Sequence, residues 1–401
     1  MAPMDIADNR QQQQGSLQDN NFAIIGEMSR VLVINGPNLD QLGRRQPEIY
    51  GRTTLAELEA ELKPLGEALD LDVVFFQGNE EAALVERIGV VAGDPDVAGV
   101  VINPAALTHY SRALGDAVAN LSQPVVEVHI TNVLEREGFR RRSAIPASYR
   151  IYGRGIEGYS WAIRHLANRL SWKTETFRYG PLPDQYGDLR HPPGQEQGLC
   201  VLIHGGLWLH QWTADTTEGI AVDLARRGFL TVNLEYRRPG MGGGWPETFD
   251  DLASALVQLP AVTGIEPERI ALIGHSAGGT MALWAASFHP GPVLAMAPFP
   301  DLALAASDPV WSGPMLRLLD DDHPSLDLYS PQHRSPPLGP TLLAAAQKDS
   351  VSPLSSINAY VEKFEGTDFL LCEGEHNSFL EPSSNAWGLA SDWLKTRKVT
   401  L

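Results

Sequence analysis

Val31-Leu32-Val33-Ile34-Asn35-Gly36-Pro37-Asn38-Leu39-Asp40-Gln41-Leu42-Gly43-Arg44-Arg45-Gln46-Pro47-Glu48-Ile49-Tyr50-Gly51 opens as a buried strand and ends as a polar loop. The apolar run at 31–34 is short and mostly β-branched, which favours a strand over a helix. Gly36 and Pro37 stop it, and Asn35 and Asn38 tolerate turn geometry. The loop that follows holds Arg44, Arg45 and Tyr50 close together. A loop leaving the C-terminal end of a parallel strand is where α/β folds place their ligands. A tyrosine beside arginines there is a candidate base, because cations favour the phenolate. The plainer reading is a surface loop with two solvated arginines, and the surrounding sequence has to decide between them.

Outward from this stretch, helix and strand patterns alternate. Residues 54–69 repeat apolar side chains at helical spacing, with Thr53 or Thr54 as the cap. Strands are expected at 73–76, 97–102, 125–130 and 149–151, and helices at 80–91, 111–121 and 159–170. Repeated βα units of this length predict a flavodoxin-like doubly wound parallel sheet. Its strand ends carry polar groups: Asn35, Asn38, Arg45 and Tyr50 after the first; Asn103, Thr108 and His109 after the third; Glu127, His129, Thr131 and Asn132 at the fourth. Parallel strands bring these ends to one edge, so the groups can converge on one pocket.

The set resembles type II 3-dehydroquinate dehydratase (type II dehydroquinase). The matching pieces are Asn35-Gly36-Pro37-Asn38-Leu39, Arg44 through Gly51, Gln77-Gly78-Asn79-Glu80-Glu81, Asn103-Pro104 through His109, and Glu127-Val128-His129 through Arg140. The resemblance implies removal of water from 3-dehydroquinate through an enolate, with neither metal nor organic cofactor. It makes Tyr50 the base beside the ketone and His129 the acid that protonates the departing hydroxyl. Arg45 and Arg136 would favour the phenolate. Asn38 and Asn103 would position the acid and, with a water, stabilise the enolate oxygen. His109, Asp116, Ile130, Thr131, Arg136 and Arg140 would bind substrate, and the loop around 44–49 would close as a lid. A homo-oligomer, a dodecamer in this family, is implied as well. Thr131 stands where serine is usual. Gly78, Tyr110, Gly115 and Leu134 also depart from the usual pattern.

Composition changes after Trp172. Residues 179–197 are rich in Pro, Gly and charge, and 176–178 and 186–189 could be first short strands of a new sheet. The centre of this second half is Ile270-Ala271-Leu272-Ile273-Gly274-His275-Ser276-Ala277-Gly278-Gly279. It reads as a strand, then Gly-x-Ser-x-Gly, then a helix of small residues, which is the context of a nucleophile elbow. Upstream, His204-Gly205-Gly206-Leu207-Trp208 follows the strand at 199–203. Backbone N–H groups of Gly205, Gly206, Leu207 and Ala277 are candidates for an oxyanion hole. Downstream, Asp349 follows a strand at 341–345 and His376 follows one at 369–372. The chain order Ser276, Asp349, His376 is that of an α/β-hydrolase triad: nucleophile, orienting acid and proton shuttle. Asp321, Asp322 and His323 are alternatives without the strand-end context. With Glu235-Tyr236-Arg237-Arg238 and Gly243-Gly244-Trp245-Pro246, this half resembles α/β-hydrolases of the carboxylesterase and kynurenine-formamidase-like type.

The expected organisation is therefore a disordered tail at 1–27, a dehydroquinase domain at 28–172 and an α/β-hydrolase domain at 173–401. Among 401 residues there are 49 acidic and 31 basic ones, a net charge of −18. That charge disfavours nucleic acid and anionic membrane surfaces as partners and leaves small molecules. Residues 1–15 lack the apolar core of a signal peptide. Cys200 and Cys372 sit in apolar surroundings, as expected in a reducing compartment, and a single disulfide between them is compatible with the sequence. A cytoplasmic bifunctional enzyme follows. Joining both activities on one chain suggests a quinate- or shikimate-type ester as the hydrolase substrate. An unrelated small ester or formamide, or a first domain serving mainly as an oligomeric scaffold, is the alternative.

Overall fold

The computed structural model describes residues 28–309, 311–319 and 325–397. The expected tail at 1–27 and the alternative triad positions Asp321, Asp322 and His323 lie outside the described residues.

The first half alternates β1 (Ser29–Asn35), α1 (Pro47–Tyr50), α2 (Leu55–Glu67), β2 (Leu71–Gln77), α3 (Glu81–Ala92), β3 (Val97–Asn103), α4 (Arg112–Ala119), β4 (Val125–His129), β5 (Tyr149–Tyr152) and α5 (Glu157–Ser171). Its five strands are all parallel in the order β2-β1-β3-β4-β5, the flavodoxin-like arrangement. Thr54 caps α2 in a capping box with Glu57. Val31 to Ile34 are fully buried because helices cover both faces of the sheet. The short α1, a single turn that carries Tyr50, was not expected: a polar loop stood there in the sequence reading.

The second half runs β6 (Glu175–Arg178), β7 (Tyr186–Arg190), β8 (Leu199–Ile203), α6 (Asp215–Arg226), β9 (Leu230–Leu234), α7 (Glu247–Thr263), β10 (Ile270–His275), α8 (Ala277–Ala286), β11 (Val293–Met296), α9 (Leu302–Ala306), α10 (Ser312–Leu316), β12 (Thr341–Ala346), α11 (Leu354–Lys363), β13 (Asp368–Cys372) and α12 (Asn385–Lys395). The sheet order is β13-β12-β11-β10-β8-β9-β7-β6. β6 and β7 pair antiparallel, β7 pairs antiparallel with β9, and the remaining pairings are parallel. Such a sheet brings the C-terminal ends of β8, β10, β12 and β13 to one edge. Cys200 and Cys372 are buried and free. Among the described residues no helix is long and apolar enough to cross a membrane.

The halves meet along α5 and α6 and along the loop at 205–214, through buried polar contacts. Arg154 forms a two-pronged ion pair with Asp215, at 2.6 and 2.9 Å. Glu218 of α6 takes His165 of α5 and Arg190 of β7.

Candidate active sites

In the first half the three strand-end clusters converge on one cavity of about 220 Å³. Asn38, Arg45, Tyr50, Asn103, His109, His129, Ile130, Thr131, Arg136 and Arg140 all line it. Gly36 makes the convergence possible, because a Cβ there would stand 2.8 Å from the carbonyl oxygen of Pro104. Asn38 adopts a left-handed backbone, φ 68°, and its N–H donates to the Asn79 side chain at 2.8 Å. Leu39 and Leu42 are buried and anchor the start of the loop. Residues 44–49 beyond them are exposed, and the Arg45 guanidinium carbon stands 6.0 Å from the centre of the Tyr50 ring.

Asp116 departs from the expected set. It is exposed on α4 and does not line the cavity. The Ser111 side chain caps α4, and Asp116 falls more than a turn beyond that cap, so the helix carries it away from the strand end.

His129 has a partner the sequence reading did not assign. Its Nε2 donates to Glu127 Oε1 at 2.9 Å, and Glu127 is wholly buried. The two residues are two apart on β4, so they share a face of the strand. Glu127 also accepts from the Thr108 hydroxyl, from Ser143 Oγ at 2.8 Å and from Arg150 Nε at 2.8 Å. Burial pushes its carboxyl up, but His129, Thr108 and Arg150 outweigh burial and hold it down to about 2. With Nε2 engaged, Nδ1 of His129 is the nitrogen left for the cavity.

Asn103 is fixed from behind. Its Nδ2 donates to Tyr159 Oη at 2.8 Å, and that hydroxyl donates to Asn35 Oδ1 at 2.7 Å. Burial pushes the Tyr159 hydroxyl well up, so it stays protonated and donates. Arg136 donates to the Thr131 hydroxyl. Burial, then Arg136, His129 and Arg140, push His109 down despite the raising effect of the Arg142 carbonyl. The cavity is thus lined by arginines and histidines with no Asp or Glu among its lining residues, and Glu127 stands behind His129. It suits an anionic ligand.

In the second half, Ser276 follows β10 at φ 54°, ψ −119°. Gly278 lets α8 press against the end of β8: a Cβ there would stand 2.0 Å from the Ile203 oxygen. A Cβ on Gly205 would stand 2.9 Å from the Ser276 Cβ, so the loop after β8 touches the serine. Gly206, Leu207 and Trp208 are all left-handed, at φ 97°, 52° and 55°. His204 at the base of this loop lies 3.0 Å from Glu235 and stacks on Tyr236 at 4.2 Å. His376 Nδ1 donates to Asp349 Oδ2 at 2.9 Å. Asp349 Oδ1 accepts from the Val351 and Ser352 N–H groups at 2.7 and 3.0 Å. These bonds and His376 outweigh burial and push the Asp349 carboxyl down. Among the described residues, no group of three or more His, Cys, Asp or Glu side chains is placed to hold a metal ion.

Residues 29–167 match the family model of class II dehydroquinase, and residues 188–291 match the BD-FAE family model. The 3-dehydroquinate dehydratase of Bacillus subtilis (strain 168) is 44% identical over 144 residues, 35% of this chain and 96% of that protein. The 3-dehydroquinate dehydratase of Desulforudis audaxviator (strain MP104C) is 52% identical over 144 residues, again 35% of this chain and 95% of that protein. A crystal structure of inhibited esterase B from Lactobacillus rhamnosis covers 59% of this chain and 91% of that one, with 17% identity and a TM-score of 0.50. This last likeness is one of fold.

Proposed function

This chain belongs to the class II dehydroquinase family through residues 29–167, and we propose that Tyr50, Arg45 and His129 carry out the dehydration of 3-dehydroquinate in the cavity at the first sheet edge. The chain is a 3-dehydroquinate dehydratase that also carries an esterase-like hydrolase domain. What supports the assignment of roles is the meeting of Tyr50 and Arg45 with the His129–Glu127 pair across one small cationic cavity.

In this reading the Tyr50 phenolate takes the proton next to the ketone, and the C–H electrons pass to the ketone oxygen as an enolate. Asn103 and Asn38, with a water, hold that oxygen. The enolate collapses and the β-hydroxyl leaves, taking a proton from His129 to depart as water. Glu127 holds Nε2 of His129 and so orients the ring for the transfer. Solvent then carries the proton gained by Tyr50 back to the His129 side, so one water is lost overall. Arg136, Arg140, His109, Ile130 and Thr131 bind the carboxylate and hydroxyls, and residues 44–49, between left-handed Gly43 and Gly51, close over them. Tyr50→Phe tests the base. Dehydration is expected to be lost with the fold unchanged, and retained turnover overturns the mechanism.

In the second domain Ser276 attacks an acyl carbon, His376 takes the serine proton and gives it to the leaving group, and Asp349 orients His376. The N–H groups of Gly205, Gly206, Leu207 and Ala277 receive the oxyanion. The elbow backbone of Ser276 and the 2.9 Å His376–Asp349 bond support this reading. The ester is of quinate or shikimate type, a choice supported by the presence of both activities on one chain. Cleavage of a caffeoyl-quinate ester by the native chain and not by Ser276→Ala is the expected result. Preference for N-formylkynurenine or an aryl acetate, with the quinate ester untouched, overturns the substrate and keeps the hydrolase. Assembly as a homo-oligomer, a dodecamer, belongs to the same proposal, and a monomer by gel filtration overturns it.

A further inference from the structure

The loop proposed above to hold the hydrolase oxyanion is clamped by the dehydratase half. Gly206 sits in this loop, and a Cβ there would stand 2.1 Å from the Trp212 Cβ and 2.4 Å from its ring carbon Cγ. Trp212 is therefore seated flush on the Gly206 backbone. The guanidinium carbon of Arg154, a residue of the first half, lies 4.5 Å from the centre of the Trp212 indole. Arg154 Nε donates to the Gln211 carbonyl at 3.0 Å, and its other nitrogens hold Asp215 at the far end of the same loop. Two more first-half residues grip His210: Asn132 Nδ2 donates to its ring at 2.7 Å, and Tyr152 Oη to its carbonyl at 2.9 Å.

Arg154 is itself held rigidly. Gly153 and Gly155 flank it in left-handed conformation, and their N–H groups donate to the carbonyls of His129 and Ile130 at 3.1 and 3.0 Å. The Arg154 side chain is 1% exposed. A planar guanidinium can stack on an indole and fork to a carboxylate at once, which an ammonium cannot. Gly206, Leu207 and Trp208 all hold positive φ, and for Leu207 and Trp208 that conformation persists only where the surroundings enforce it. On this face of the loop the surroundings are Trp212 and, over Trp212, Arg154.

We infer that Arg154, a residue of the dehydratase half, is a positioning residue for acyl transfer in the hydrolase half, acting through Trp212 on the oxyanion loop at Gly206. This rests on the hydrolase reading given above. The oxyanion donors act where charge develops in the transition state, so their displacement lowers kcat more than it raises KM.

The test uses the full chain carrying Arg154→Lys, Trp212→Phe or both, with Ser276→Ala as reference. Aryl acetate hydrolysis, the rate of serine labelling by a fluorophosphonate, and dehydration of 3-dehydroquinate are measured side by side. Arg154→Lys keeps a cation for Asp215 and removes the stacked plane. Hydrolysis kcat and the labelling rate are expected to fall about ten- to hundredfold, with KM within about threefold and dehydration retained. The double variant is expected to fall no further than the more impaired single variant, because both changes act through one loop. Unchanged hydrolysis and labelling in Arg154→Lys, with Ser276→Ala inactive, overturns the positioning role and leaves the hydrolase reading standing. Parallel loss of dehydration with a lowered unfolding temperature also overturns it, by making Arg154 a residue of the fold. Ester cleavage and labelling that survive Ser276→Ala overturn the hydrolase reading itself.

Discussion

Glu127 and His129 stand two residues apart on β4, on one face, with Nε2 and Oε1 2.9 Å apart and the carboxylate wholly buried. A buried carboxylate that grips one imidazole nitrogen fixes the orientation of the ring and which nitrogen faces away from it. Glu127→Gln removes the charge and keeps the shape. Dehydration kcat is expected to fall about 10²-fold or more, with a smaller change in KM, since general acids contribute on this scale. Steady-state kinetics check both.

The same carboxylate sets an acid limit on stability. Glu127 is held down to about 2 in the folded chain, against 4.5 for the free group. A depressed carboxyl contributes stability that is full above the unfolded value and lost as pH falls through the folded one. The window is therefore about pH 4.5 to 2, and the contribution is roughly 3 kcal/mol. Native chain should lose first-domain stability over that window, and Glu127→Gln should show a flatter dependence there. Denaturant midpoints followed at several pH values measure the difference.

Much of this arrangement was legible from the residues alone. Runs such as Val31 to Ile34 and Leu199 to Ile203 specify buried parallel strands, and parallel strands leave their polar ends on one edge. The sequence alone therefore groups Tyr50, Asn103 and His129 at one edge. The Gly-x-Ser-x-Gly turn is local, and its glycines are explained by the close approaches of Ile203 to Gly278 and of the Gly278 carbonyl to Gly274. The supporting residues were not legible, because their partners are distant in sequence. Tyr159 bridges Asn35 and Asn103 across 124 and 56 positions, and in the sequence it is one more apolar position on α5. Arg154 reaches Asp215 only once two domains are docked. Glu127 is the exception: the sequence groups it with His129 at the fourth strand end, and the spacing of two on a strand places both on one face. Asp116 was grouped with the site by resemblance and stands exposed on α4.

Tyr159 therefore makes its own prediction. Its hydroxyl donates to Asn35 and accepts from Asn103 in a fully buried position. Tyr159→Phe leaves both amides without that partner, and a buried unsatisfied polar group costs about 1–3 kcal/mol. Thermal unfolding should report a destabilisation of that order. Asn103 is released to turn within the cavity, so dehydration kcat should fall about tenfold or more, by the reasoning that a small misplacement of a positioning group is costly. Unchanged kcat would separate Asn103 from the enolate.

The hydrolase pair gives a prediction that also tests how independent the two sites are. His376 donates Nδ1–H to Asp349, and two backbone N–H groups hold the other carboxylate oxygen. Asp349→Asn preserves the shape and removes the charge. The amide can present its NH2 to the ring, so the imidazole turns to the tautomer that cannot accept the serine proton. Loss of ester turnover of about 10⁴-fold is expected, the scale on which triads fail through the wrong tautomer. Dehydration of 3-dehydroquinate should be untouched, because Asp349 contacts the strand edge of the second sheet and no residue of the first cavity. Steady-state ester hydrolysis and dehydration measured on the same variant check both, and ester turnover retained in Asp349→Asn would remove Asp349 from the mechanism.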